Sequence, residues 1–398
     1  MGSVEVIPIS LPRETERFVR TWFTIYEHDP HWVPPLYSER KQFFDPAKNP
    51  YFNHARVAYF LARKDGRDVG TIAACIDTVY QEEEPGTAFF GFFEFVDDVE
   101  VAEALLGAAR EWLATQGMTR LLGPFNFNTN HEFGLLVDGF GTDPFVANPH
   151  NSAYYPEIYD ALGFTPAMDW YAYMCDVEMK GIQKTIKIAE RLLSRNSELK
   201  IRKIDLSRFD EEIELIRKIY VDAWEQNWAH VRVSDEEFDF IAGGLKQILD
   251  PDFCFIAEID GKVAGISVTL PDFNQVVKRM NGRIFPFGWR HVLMKKRIIN
   301  RVRVFMLGIA QEFQSLPLGA VFYAKTFQAA LDRGYRFGEA SLILENNTRM
   351  RGALEKMGGE IVKTYRNYEI PVSGDLNVVS DANDAVASLD SGNMTDPN

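Results

Sequence analysis

Two stretches of the chain repeat one piece of architecture. Phe60 to Ala74 (FLARKDGRDVGTIAA) and Phe255 to Thr269 (FIAEIDGKVAGISVT) each read as a strand, a tight turn and a returning strand. Asp65-Gly66 and Asp260-Gly261 mark the turns, where a positive φ is needed and glycine supplies it without steric cost. After each hairpin come an aromatic strand and a helix ending at Gln116-Gly117 or Arg333-Gly334. A further strand, a short helix ending at Leu162-Gly163 or Met357-Gly358, and a last strand complete each copy. Self-similarity at this length predicts two linked domains. The expected class is α/β (α+β), with two tandem mixed sheets flanked by helices.

The 398 residues leave room for two domains of ordinary size. No run approaches eighteen uninterrupted apolar residues, so no transmembrane helix is expected. The opening MGSVEVIPIS has neither the basic nor the apolar region of a secretory signal. A cytoplasmic protein is therefore expected. Cys75, Cys175 and Cys254 sit in apolar, strand-like runs without metal-ligand spacing. They read as buried, reduced thiols, and no metal is expected.

A net charge of −14 hides a sharp asymmetry. From Phe273 to Gln311 there is no Asp or Glu but nine Lys or Arg, which leaves −23 for the rest of the chain. Phe285, Phe287, Trp289, Leu293 and other large apolar residues are threaded among these cations. Such interleaving suits a segment that lies on anionic lipid or grips an anionic ligand. A solvated insertion packed on its own domain is the plainer alternative. Residues 273–303 are thus expected to make peripheral contact with an anionic membrane, at the inner face of the cytoplasmic membrane. Nucleic acid is not expected, because the remaining surface is acidic and carries no recognised motif.

Residues 1–175 form the first expected domain and 176–371 the second. The tail from 372 to 398 has five Asp and no basic residue, and is expected to be disordered. Within the first domain a long loop runs from Gly123 to Tyr154. Asn126, Asn128, Asn130, His131, Glu132, His150 and Tyr154 crowd there among several Phe residues. A loop of this length is functional or disordered, and this one is too aromatic for disorder. Asn126, Asn128, Asn130, His131 and Tyr154 are read as substrate-binding, although Asn also satisfies its own backbone in turns.

The element order of the second unit resembles the GNAT superfamily of acyl-CoA-dependent N-acyltransferases. In that family a strand leads through a Q/R-x-x-G-x-G/A turn into a helix, and Gln314-Ser315-Leu316-Pro317-Leu318-Gly319 stands at that place. Unpaired N–H groups and the positive end of the helix dipole would face the CoA pyrophosphate. Pro317 replaces the first Gly and removes one donor. The resemblance implies acyl-CoA as co-substrate, held by Leu307, Ile309, Gln314, Gly319, Ala320, Asn346 and Asn347. The two Asn are also natural helix caps. In the first unit Asp97-Asp98 occupies the turn, and like charge would repel a pyrophosphate. That copy is expected to be degenerate and to shape the acceptor side.

The stretches DPHWVPPL, FFDPAKNPYFNHA, FFGFFE, GPFNFNTNHEFGLLVDGF and PHNSAYY resemble a narrower bacterial family of two-domain GNAT-like proteins that includes ceramide synthases. The resemblance implies transfer of a fatty acyl group to the amine of a sphingoid base or its 3-keto precursor. Such a reaction needs a base for the amine proton and a donor for the oxyanion. A backbone N–H near Leu307 to Ala310 would serve as the donor. Glu94, Glu132, His131, His150 and Glu345 are the candidate bases, and Tyr365 a candidate protonator of the leaving thiolate. Glu94, in an aromatic strand, is expected to have a raised pKa. Two alternatives stay open: a GNAT enzyme acting on a small amine or amino acid, and a non-catalytic module that binds membrane or an acidic partner.

Overall fold

The structure is a computed structural model that describes residues 2–373. The acidic tail, beyond its first two residues, lies outside that range. Both hairpins form as the Asp-Gly turns predict, with φ of 52° and 77° at Asp65-Gly66 and of 51° and 76° at Asp260-Gly261. Two successive positive φ values make the turn whose twist matches paired strands.

The first unit contributes β1 (Glu5–Ile9), β2 (Ala55–Lys64), β3 (Arg67–Asp77), β4 (Thr87–Phe95), β5 (Arg120–Gly123), β6 (Leu135–Asp138) and β7 (Thr165–Asp176). The second contributes β8 (Lys200–Lys203), β9 (Cys254–Ile259), β10 (Lys262–Pro271), β11 (Arg301–Ile309), β12 (Phe337–Leu344) and β13 (Glu360–Pro371). All thirteen belong to one sheet, ordered β1-β2-β3-β4-β5-β13-β7-β12-β11-β10-β9-β8, with β6 beside β13. Among the described residues only β4/β5 and β11/β12 are parallel pairs.

This order shows an exchange. β7 ends the first unit yet pairs with β12 of the second. β13 ends the second unit yet pairs with β5 of the first. The two exchanged strands then pair with each other, Glu360 to Glu369 against Met174 to Thr165. Each half is completed by the other's last strand.

Helices cover both faces of the sheet. Val101, Leu105, Ala109 and Leu113 of the helix Val99–Thr115 pack on Ile72, Ala74 and Phe90. On the other face Phe18 and Trp22 of the helix Thr15–Ile25 meet Phe44, Phe92 and Phe127. In the second unit the helices Phe209–Trp224 and Asp235–Lys246 lie over Ile256, Ile266 and Val268. Cys75 and Cys254 are buried and Cys175 half-buried, all as free thiols. Burial raises each thiol pKa and keeps it protonated.

One buried charge cluster ties the halves together. His54 meets Asp77 of the first unit through Nδ1 (3.2 Å) and Glu237 of the second through Nε2 (3.0 Å). Burial lowers its pKa, but the two carboxylates outweigh that effect and hold it at about 10. His54→Ala would leave two buried carboxylates without their cation, and is expected to cost about 3–5 kcal/mol in urea unfolding. Because the folded pKa is raised, this stabilisation is whole below about pH 6.5 and is lost as pH climbs through about 10. The variant should lack that slope.

Candidate active site

In each unit the parallel strands pair briefly and then part. β4 and β5 pair only from Thr87 to Phe89, and β11 and β12 only from Arg301 to Val304. In the first unit the gap is plugged by the long loop. The Phe125 N–H donates to the Phe90 carbonyl (2.6 Å), and the Asn126 side chain accepts the Phe92 N–H (2.7 Å). In the second unit the gap opens into a cavity of about 1880 Å³, lined by Val304 to Ile309 and Ser341 to Leu344. Sites for one small ligand run to roughly 300–1,000 Å³, so this volume admits two substrates or a long chain. Trp22, Trp32, Trp170, Trp224 and Trp228 line it, five of the seven tryptophans of the chain.

Polar groups of the first unit converge on one wall. Glu94 accepts hydrogen bonds from the Tyr26 hydroxyl (2.5 Å) and the Tyr155 hydroxyl (2.9 Å). Burial raises its pKa to about 7, against the lowering effect of those two bonds. Beside it, His150 Nε2 lies 2.8 Å from Asp29, while Nδ1 has no hydrogen-bond partner among the described residues. Burial lowers the His150 pKa and Asp29 opposes that shift. If Nε2 carries the proton, a neutral ring oriented by Asp29 presents a bare acceptor at Nδ1. Arg40 holds both oxygens of Glu132 at 2.9 Å, and Asn126 donates to Glu132 as well (3.2 Å). Burial raises the Glu132 pKa, but Arg40 outweighs it and keeps the carboxylate ionised. His131 contacts Asn128 through Nδ1 (3.0 Å), and burial drives its pKa down to about 4.

The opposite wall comes from the second unit. The helix Leu318–Arg333 begins at Pro317 with no side-chain cap. The Ala320 N–H is taken by the Pro317 carbonyl (3.0 Å), which leaves the N–H groups of Leu318 and Gly319 without a partner inside the helix, and Gln314, Pro317, Gly319 and Ala320 line the cavity there. Lys184, Arg349 and Lys356 line the same cavity. The corresponding helix of the first unit, Val99–Thr115, is closed instead. Asp98 caps it by accepting the Glu100 N–H (3.0 Å) and pairs with Lys64 (2.7 Å). A carboxylate already sits where an anion would bind. β11 bulges against β10, where the register steps from Met306–Val268 to Val304–Thr269 and leaves Phe305 extra. Such a residue is freed from the ladder at the point where the strand faces the cavity.

The fold thus gathers Glu94, Glu132, His150, His131, Asn126 and Asn130 with Leu307, Ile309, Gln314, Gly319, Ala320 and Asn347 around one space. Asn347 also caps the helix Thr348–Met357 by accepting the Met350 N–H (3.1 Å). Five expected residues are not on the cavity wall. Asn128 is fully buried and donates to Asp77 (3.0 Å). The Tyr154 hydroxyl is held by the Phe95 carbonyl. Glu345 accepts the Asp169 N–H (3.2 Å), Asn346 is exposed, and Tyr365 is sealed among Leu136, Trp170 and Leu344.

Several groups at the site carry no sequence signal of their own. Tyr26, Asp29 and Arg40 come from the lead-in, where only the aromatic and proline-rich run around Trp32 marks a built segment. Arg303, read above as part of the basic stretch, turns inward. It is 3% exposed and donates to Ser341 Oγ (3.0 Å) and the Val146 carbonyl (2.6 Å). Burial lowers its pKa to about 10.

No protein-family model matches the chain. It is 36% identical over 378 residues to the bacterial ceramide synthase of Caulobacter vibrioides, covering 92% of this chain and 97% of that one. The chain belongs to the two-domain GNAT-like acyltransferase family that includes this ceramide synthase. A second member, Protein YghO of Escherichia coli, is 34% identical over 366 residues, covering 89% and 92%. Among solved structures, a tandem GNAT protein from the clavulanic acid biosynthesis pathway matches with a TM-score of 0.56 at 12% identity, over 94% of this chain and 100% of that one. A GCN5-related N-acetyltransferase from Sphaerobacter thermophilus matches at 0.50 and 10%, over 94% and 97%. These two carry the fold assignment, a tandem GNAT. By its membership of this family the chain is an acyltransferase.

Proposed function

We propose that the protein moves a long-chain fatty acyl group from acyl-CoA to the amine of a sphingoid-type lipid base or its 3-keto precursor. The observation that carries this reading is the cavity itself, which joins an acidic and histidine-bearing wall of residues 1–175 to an uncapped helix start of residues 176–371. The second unit binds the CoA: the helix start and the cations Lys184, Arg349 and Lys356 suit its phosphates. Ile213, Ile216, Phe238, Ile241 and Leu245 add apolar lining to the cavity that suits a hydrocarbon chain.

In the reaction the amine nitrogen attacks the thioester carbonyl carbon, a C–N bond forms and the C–S bond breaks. Glu94, directly or through water, takes the proton from the amine. A backbone N–H where β11 bulges supports the developing oxyanion. Arg40 and Glu132 keep the wall beside Glu94 polar and fixed. The CoA leaves as a thiol, its sulfur taking up, through water, the proton that Glu94 removed from the amine. No described helix is long and apolar enough to cross a membrane. The reading sets the enzyme in the cytoplasm, in peripheral contact with the inner membrane face.

Purified protein incubated with palmitoyl-CoA and sphinganine, or its 3-keto form, should yield the amide, read by mass. Acetylation of small amines with no product from either lipid would overturn the lipid reading and leave the family.

A further inference from the structure

The basic insertion has two faces with different work. It folds as three short helices, Asn274–Met280, Trp289–Leu293 and Lys295–Ile298. Its inner side is a small core of Val276, Met280, Ile298 and Ile299 packed with Leu36. A backbone bond from the Tyr37 N–H to the Gly282 carbonyl (3.1 Å) fastens it to the lead-in. Val277, Met280, Ile284 and Val292 on that side also line the cavity, close to Trp32 and Leu36.

The outer side is unlike any other part of the described surface. Phe285 is 76% exposed, Leu293 75% and Phe287 65%, with Trp289 and Met294 beside them. Five of the ten exposed large apolar residues thus fall within ten positions, a cluster rather than scatter. Arg279, Arg283, Arg290, Lys296 and Arg297 are exposed around them. Of these only Arg283 has a carboxylate within ion-pair distance among the described residues, Glu16 at 3.9 Å. Lys278, Arg301 and Arg303 are engaged inward with Asp143, Asp272 and Ser341. The rest of the chain is net acidic, whereas this face combines cations with exposed apolar side chains and so attracts an anionic surface.

We propose that the outer face of residues 279–297 docks on an anionic lipid bilayer, and that a lipid amine passes from that bilayer into the cavity past Val277, Met280, Ile284 and Val292. The port rests on the lipid-amine reading above, whereas the docking does not. Exposed Phe and Leu enter the boundary between headgroups and acyl chains while the cations stay among the phosphates. An amine with a long chain then reaches Glu94 without crossing water, which a chain of that kind does not do readily.

Flotation with phosphatidylcholine vesicles, with and without phosphatidylglycerol, tests the docking. The protein should float only with the anionic vesicles, and binding should fall as salt rises. The triple variant Arg290→Glu, Lys296→Glu, Arg297→Glu should bind about a hundredfold more weakly or worse, at roughly fivefold per cation. The triple variant Phe285→Ser, Phe287→Ser, Leu293→Ser should acylate an amine embedded in vesicles at least tenfold more slowly, yet keep wild-type turnover on the same amine in detergent micelles. Those residues do not line the cavity, so turnover in micelles also reports that both variants fold. Equal flotation with neutral and anionic vesicles, wild-type flotation of the charge variant, or binding to DNA or an acidic protein in place of vesicles would overturn the docking. Equal loss in micelles and vesicles would overturn the port. Absence of any transfer to the lipid amine by the wild-type protein in micelles would instead sink the substrate reading, and flotation would still decide the docking.

Discussion

Glu94→Gln is expected to lower turnover by about 10²–10⁴-fold while acyl-CoA binding holds, the range for loss of a positioned general base. The amide keeps the size of the side chain and an oxygen to accept from Tyr26 and Tyr155, so the site should stay folded. The wild-type rate should rise with pH to a plateau with its midpoint near 7, because burial raises this carboxyl to about 7 and the base must be ionised. Tyr155→Phe removes a bond that favours the ionised form, and should move the midpoint to higher pH. The stability effect has the opposite sense to the activity effect. A carboxyl raised above its unfolded value costs stability as pH climbs from about 4.3 through about 7. Above pH 7 the Gln variant should therefore melt at a temperature no lower than wild type. Near-normal turnover in Glu94→Gln would pass the role to His150, whose Nδ1 has no partner among the described residues.

Gly319→Glu should abolish acyl-CoA binding. Gly319 lies in the first turn of the uncapped helix Leu318–Arg333, and a Cβ there would meet nothing within 4 Å. The new side chain therefore fits without disturbing packing, and a carboxylate in the first turn favours the helix itself. The same carboxylate occupies the cavity wall where the phosphates would sit. In the first unit a carboxylate already stands at the helix start, with Asp98 as the N-cap of Val99–Thr115. Thermal unfolding with and without ligand reads the effect. Acyl-CoA at a hundred times its Kd stabilises the wild type by about 2.7 kcal/mol, and the variant should gain nothing. Asp98→Ala should leave that ligand effect unchanged. Retained stabilisation in Gly319→Glu would remove the second unit from the donor role.

Much of the fold was legible because its signals are local. The Asp-Gly turns, the apolar stripe of Val101, Leu105 and Ala109, and the glycines at helix ends each act within a few residues, so element positions follow from the chain alone. Three strands are too short or too weakly patterned to stand out: β1 in the lead-in, β6 inside the long loop and β8 after the connector helix. The basic stretch was legible as charge, but not that Arg301 and Arg303 turn inward, since that depends on Asp272 and Ser341 being brought beside them. At the site, Glu94 and Gly319 stood out because of their own surroundings in sequence. Tyr365 and Glu345 had similar local credentials, yet packing turned one into the interior and left the other exposed on the surface.

The sequence by itself determined two copies of one hairpin-led unit, an acidic body with a basic and apolar segment, and a carboxylate-bearing turn before the helix of one copy against a Gln-x-x-Pro-x-Gly turn in the other. Those features rest on turn chemistry, periodicity and charge, which neighbouring residues settle among themselves. Only the tertiary structure decided that the copies exchange their last strands, that Asn126 plugs the first unit's gap, and that Tyr26 reaches Glu94 across 68 positions. Closing loops of that length has no local signature. Its entropic cost grows slowly with length and is met by sheet pairing and burial that exist only once the whole chain has come together.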